Sequence, residues 1–322
     1  MSPGLSLDVA GRLGPEYPLM SESVVLFLIS VLLIGAGSEG FARGLSRLGV
    51  PGRYRFLMNG LCFSAPVLAV SFAAGFGGYP RTAVAIAVGS HIANVGLVLA
   101  LATLARPVVG TRPEIRTAIP LLVCASLLAW FLARDNALSL VDGVVLLGAA
   151  IGVGVLLVRE SSPLPPPVHA PSERSWIGVV LAVAGLGWMI GAAVLLVQSM
   201  EGVVKEAGIG GIVFGLTAVA GGISVRNIAA AIVAARRGEG DLVLEGAIGG
   251  SLINLLFGLG VLAVGIPVPM PDRMLMDVFP AAAIATMFLI SVRVNGLRTR
   301  RWEGLLQLAA YIGFVLWLLP RG

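Results

Sequence analysis

Residues 211–260 read GIVFGLTAVAGGISVRNIAAAIVAARRGEGDLVLEGAIGGSLINLLFGLG. They form two apolar segments joined by a short charged turn, Arg236-Arg237-Gly238-Glu239-Gly240-Asp241. Each segment is long enough for a helix to cross a bilayer, which takes about 20 residues. The first is interrupted near its middle by Gly221-Gly222, with Ser224, Arg226 and Asn227 just beyond; the second carries Gly249-Gly250-Ser251 and Asn254. Polar groups inside an apolar span are expensive and mark functional positions. Irregular backbone at that depth is tolerated only where protein buries it or where it lines a cavity. This stretch is therefore expected to form the wall of an intramembrane site.

The chain carries the stretch twice. A shift of 160 residues places Ser64 on Ser224, Gly78 on Gly238, Gly89 on Gly249 and Asn94 on Asn254, without gaps from about Arg55 to Ala100. Each copy predicts a broken helix followed by a helix with the pattern G-x-x-x-x-N.

The rest of the chain supplies the frame. Of 322 residues, 57% are hydrophobic and 12% charged, where soluble domains carry about 25% charged residues. The class is a polytopic membrane protein. The net charge of +5 is no nucleic-acid signal, because no basic stripe with interleaved aromatics is present. Apolar runs at 22–42, 54–78, 82–105, 116–133, 138–158, 175–199, 208–235, 242–265, 275–292 and 302–319 predict ten helices. An exposed tail is expected over 1–20 and a first five-helix repeat over 21–158. A Pro-rich linker follows over 159–174, then a second five-helix repeat over 175–322. The tail lacks the basic start and apolar core of a signal peptide. Cys62 and Cys124 fall inside apolar runs and read as small core residues.

Alternate loops divide the basic residues 15 to 6, with Arg226 left inside the membrane. The positive-inside rule then places both termini outside the cell and the linker in the cytoplasm, in a multi-pass plasma (inner) membrane protein. Five helices per half is odd, so the two copies insert in opposite orientations. Inverted repeats with interrupted helices are an architecture of secondary transporters, with the site near the midplane where the repeats meet.

On these residues the chain resembles the calcium/cation antiporter superfamily, which includes the sodium/calcium exchangers. That resemblance implies ten helices in two inverted halves, each with a G-T-S-x-P-E break and then a G-S-N-x-x-N helix. Gly215-Leu216-Thr217, Gly222-Ile223-Ser224-Val225-Arg226-Asn227 and Gly249-Gly250-Ser251-Leu252-Ile253-Asn254 carry it in the second half. Gly37-Ser38-Glu39, Phe63-Ser64-Ala65-Pro66-Val67 and Gly89-Ser90-His91-Ile92-Ala93-Asn94 carry it in the first. The chain departs from the family at the residues that matter most. The two family glutamates that hold the cation are Val67 and Asn227 here, the motif proline of the second half is Arg226, and the motif threonines are Phe63 and Ile223.

Tight calcium sites use carboxylates. What remains here is neutral: Asn59, Ser64, Ser71, Asn94, Thr217, Ser224, Asn227, Ser251 and Asn254. An arginine at mid-helix costs about 2.5–3.5 kcal/mol on insertion scales, so Arg226 needs a partner. It reads three ways: a tethered cation that locks the site, an anchor for an anionic or polar substrate, or one half of a structural pair with Glu245. His91 takes a motif position expected to face the cavity and suits proton exchange. Glu39 either lines the cavity or meets headgroup water. The expected function is a secondary transporter of protons, a monovalent ion or a small polar solute, not a calcium exchanger. The alternative is an intramembrane enzyme acting on a lipophilic small molecule, with His91, Arg226, Glu245 and Glu39 as its chemical groups. Neither reading calls for a resident metal or cofactor. The partners are the bilayer and a small ion or molecule, with oligomeric state left open.

Overall fold

The computed structural model describes residues 22–161, 175–208, 210–269 and 273–321. The expected N-terminal tail and residues 162–174 of the Pro-rich linker lie outside the described residues. The helices, in order, are α1 (Glu22–Arg47), α2 (Arg55–Phe76), α3 (Pro80–Ala105), α4 (Pro113–Ala133), α5 (Leu140–Glu160), α6 (Ser175–Ala207), α7 (Gly211–Arg237), α8 (Gly240–Gly265), α9 (Arg273–Val294) and α10 (Arg301–Leu318). Nine helices among the described residues are long and apolar enough to cross a membrane. The other, α10, spans 18 residues and opens with the charged pair Arg301 and Glu303.

The two copies exchange partners. α3 and α8 form the centre, with 89% and 78% of their most apolar windows buried, while α5 at 17% faces outward. α2 of the first half lies against α8 of the second, and α7 of the second lies against α3 of the first. Both crossings bring backbone to backbone. A Cβ on Gly60 would lie 2.7 Å from the Gly249 carbonyl carbon, and one on Gly89 would lie 2.7 Å from the Leu216 oxygen. Gly89 and Gly249 are mates under the 160-residue shift. A methyl group at either crossing would force the helices apart, and overpacking of that kind costs about 1–3 kcal/mol.

The loops repeat the symmetry. Ala137–Leu138 (β1) pairs antiparallel with Val268–Pro269 (β2) between the α4–α5 and α8–α9 connections. The shift carries these segments onto 297–298 and 108–109, and there Val109 bridges Arg298. Gly78 and Gly238, also mates, both hold the left-handed conformation, with φ +95° and +83°. At Gly238 this lets the chain close α7, with the Gly238 and Glu239 amides donating to Ala235 and Ala234.

The midplane interruptions take the form of an in-helix proline and π-turns. α2 runs through Pro66 as a helix. α7 stays regular through Gly221-Gly222, and its irregular turn is the π-turn Gly215–Val219 just before them. α3 and α8 carry π-turns at Asn94–Val98 and Ile253–Gly258, again at matching positions. With no water to satisfy an open break, a π-turn relaxes the helix while each amide still finds a carbonyl.

α1 and α6 run as a close pair at one flank, where a Cβ on Gly44 would sit 2.3 Å from the Ala182 nitrogen. The tip of α6 is tied to the α2–α3 turn, where the Tyr79 hydroxyl donates to Glu201 Oε1. That bond raises the phenol above its ordinary value of 10.0, with smaller contributions from burial and the carboxylate's charge. A raised tyrosine lends stability below its unfolded value and loses it as pH climbs through the folded one. Tyr79→Phe should therefore melt below wild type at neutral pH, and the two melting curves should converge above about pH 10. A melting difference unchanged by pH would show that the bond contributes nothing.

Candidate functional site

Polar side chains of the four motif segments meet, fully buried, midway along their helices, with no charged group among them. The Ser64 hydroxyl donates to Asn254 Oδ1 at 2.7 Å, tying α2 to α8, and Asn227 Nδ2 donates to the Phe63 carbonyl at 2.9 Å, tying α7 to α2. Ser64, Asn94, Asn227 and Asn254 are all fully buried. Their capacity is only partly used. Both amide atoms of Asn94, Oδ1 of Asn227, Nδ2 of Asn254 and the hydroxyls of Ser71, Ser90 and Ser251 have no hydrogen-bond partner among the described residues. Buried polar groups are almost always satisfied, so this concentration of unused oxygens and amides is unusual and offers free donors and acceptors. Thr217 and Ser224 contribute less, because each hydroxyl donates to its own helix, to Val213 and Ala220, at 2.7 Å.

Val67, at one family glutamate position, is 1% exposed and cannot coordinate anything. The buried carboxylates among the described residues, Glu114, Glu245 and Glu303, begin α4, α8 and α10 at the arginine-rich face and lie away from the midplane. Among those residues no three His, Cys, Asp or Glu side chains come together as a metal cage would require.

Arg226 has a specific employment. Pro66 has no N–H, so the Cys62 carbonyl loses the donor a regular helix would give it. Arg226 Nη1 fills that role at 3.4 Å, while Nη2 meets Glu39 Oε2 at 3.2 Å. Glu39 also accepts from Arg43 at 2.7 Å. The structural pairing of Arg226 with Glu245 is thus overturned, and the partner is Glu39 on α1. Arg226 also stands off the cation position between Val67 and Asn227, bending toward the arginine-rich face. There it lines a cavity of about 190 Å³ with Asn59, Cys62 and Phe63.

Glu245 is held elsewhere. Its carboxylate takes Asn59 Nδ2, Arg112 Nε at 3.2 Å and Arg55 Nε at 3.5 Å. Those arginines begin α4 and α2, so Glu245 anchors three helix ends at the rim. His91 faces away from the pocket. Its Nε2 lies 3.1 Å from Thr286 Oγ1, 3.3 Å from the Ala282 carbonyl and 3.5 Å from Ser126 Oγ, all on α9 and α4. The expectation that His91 looks into the cavity fails because α3 turns about 100° per residue. Ser90, four residues before Asn94, shares the Asn94 side, and His91 is rotated toward α4 and α9. The four groups named for an enzyme therefore occupy three separate places, and only Arg226 and Glu39 meet.

An inverted-repeat bundle of this kind, with polar groups converging at its midplane, defines a membrane transporter. The chain belongs to the sodium/calcium exchanger protein family, whose profile matches residues 22–158 and 177–319. It is 29% identical over 313 residues to CaxA of Alkalimonas amylolytica, which is named as an antiporter, covering 92% of this chain and 98% of that one. It is 30% identical over 220 residues to the inner membrane protein YrbG of Escherichia coli (strain K12), covering 63% and 66% of the two chains. The solved sodium-calcium exchanger NCX_Mj superposes with a TM-score of 0.68 at 24% identity, covering 91% of this chain and 97% of that one. The last likeness speaks for the fold.

Proposed function

We propose that this transporter carries a monovalent cation, held at the midplane by amide and hydroxyl oxygens of Ser64, Asn94, Asn227 and Asn254, and that calcium is excluded. The reading rests on buried neutral groups around the two positions where the family has carboxylates, now Val67 and Asn227: Asn94 Oδ1 and Asn227 Oδ1 have no partner among the described residues, and Ser64 and Asn254 are bonded to each other. Dehydration cost grows with the square of the charge, so a divalent ion pays roughly four times the monovalent Born penalty. Calcium sites meet that cost with carboxylates. Neutral oxygens alone suit a single charge. Arg226 and Glu39 neutralise each other at the entrance and leave the pocket without a fixed charge. His91 and Glu245 serve helix packing. In this reading the protein lies in the plasma membrane, and the positive-inside rule supports a cytoplasmic arginine-rich face with both termini outside.

The test is flux in proteoliposomes. A sodium or potassium gradient should drive counterflow of labelled monovalent cation, while labelled calcium stays at background. Asn94→Ala should slow the flux by about tenfold or more, the equivalent of one lost polar contact. Calcium uptake by the unaltered protein, or monovalent flux indifferent to Asn94→Ala and Asn254→Ala together, would overturn the proposal.

A further inference from the structure

The cavity on the arginine-rich face is not lined by Ser64, Asn94, Asn227 or Asn254, and Phe63 touches both the cavity and this cluster. Phe63 lines the cavity yet is only 5% exposed. Its ring lies over Gly246 of α8, where an added Cβ would come within 2.5 Å of Cε2. Its Cβ and Asn94 Nδ2 both flank Gly250, 3.0 and 3.4 Å from where a Cβ would stand. Phe63 therefore forms the inner wall of the cavity on one side and borders the pocket amide on the other. The polar groups behind it, Ser64, Asn94, Asn227 and Asn254, are fully buried.

The ring also has somewhere to go. A cavity of about 150 Å³ accommodates a benzene molecule, and the space beside Phe63 measures about 190 Å³. Its displacement breaks no side-chain hydrogen bond, since a phenyl group makes none. The mate of Phe63 under the 160-residue shift is Ile223. It is 3% exposed and belongs to an apolar cluster with Phe27, Ile34, Val67 and Phe214 toward the opposite face.

We propose that Phe63 is an apolar gate between the arginine-rich vestibule and the midplane pocket, with Ile223 as its counterpart on the other side. Closed, it dewets the passage as hydrophobic constrictions do; swung into the vestibule, it admits the ion. The assignment rests on reading the midplane pocket as the ion site, but its test needs no transport.

The test uses thiol accessibility in sealed membranes of each orientation. One variant keeps Cys62 and carries Cys124→Ser. A second carries Cys62→Ser, Cys124→Ser and Ser64→Cys. An impermeant anionic methanethiosulfonate reagent should label Cys62 from the arginine-rich face. The thiol of the Ser64→Cys variant should stay protected while Phe63 is present. Adding Phe63→Ala should bring its labelling rate up to that of Cys62 from that face alone, and Phe63→Trp should leave it protected. Should the alanine variant misfold, Phe63→Val supplies the same comparison, with Cys62 labelling in the first background reporting an intact vestibule. Labelling of the Ser64→Cys thiol at the Cys62 rate with Phe63 in place would overturn the gate. So would protection that persists when Phe63 is trimmed. Loss of the labelling pattern with monovalent flux by the unaltered protein intact would remove the gate alone, whereas the pattern together with no flux by the unaltered protein would remove the transport reading.

Discussion

Glu245→Leu is expected to cost about 3 kcal/mol of stability, the low end for breaking a buried ion pair. The carboxylate is fully buried and gathers Arg55, Arg112 and Asn59 from two other helices. Its loss would not isolate both arginines. Arg112 keeps Glu114 at 3.3 Å and Asp241 at 3.7 Å, and Arg55 is 38% exposed and can turn to water. That is why the low end applies. Glu245→Gln should be milder, since it still accepts from Asn59 and loses only the charge. The measurement is thermal melting in detergent, followed by loss of the monodisperse peak. A Glu245→Leu protein that melts with wild type would show that the rim cluster holds nothing together.

Val67→Glu combined with Asn227→Glu rebuilds the family's acidic pair, yet it should give no calcium uptake above background. Arg226 neighbours position 227, and its positive charge opposes a divalent ion there, although it stands off toward Glu39 at the arginine-rich face. Glu39, 45% exposed, offsets only part of that charge across solvent. A glutamate at 227 has no N–H to give the Phe63 carbonyl, which now accepts from Asn227. The arginine next door would be drawn onto the new carboxylates before any ion arrives. Uptake should appear only when Arg226→Pro and Phe63→Thr are added, which clear the charge and the ring. Sodium-driven uptake of labelled calcium into liposomes decides it. Uptake with Arg226 and Phe63 still present would show that neither one excludes the metal.

Much of this architecture is written in local patterns. Apolar runs, the 160-residue shift and the sorting of arginines each follow from what lipid tolerates. The Ser64–Asn254 bond does not follow from the repeat, because its mates Ser224 and Asn94 do not bond to each other. The ionic partners were hidden because they depend on azimuth and on distant chain. Glu245 lies about 9 Å along its helix from Ser251, and that distance already places it near the rim, beside the arginines that open α2 and α4. Glu39 reads from sequence as either a cavity residue or a headgroup contact, and nothing local decides between them. Phe63 was visible as a departure from threonine, but its role needed the two α8 glycines that make room for it. The donor shortage at Cys62 was also legible, since a proline four residues on always frees that carbonyl.

Pro66 and Arg226 occupy the same place in the two halves: one withholds a donor and the other provides it. A chain assembled from two first halves would leave two carbonyls begging, and one assembled from two second halves would hold two guanidiniums with nothing to give them to. Neither half can stand in for the other, so what reads as duplication now behaves as a lock and its key.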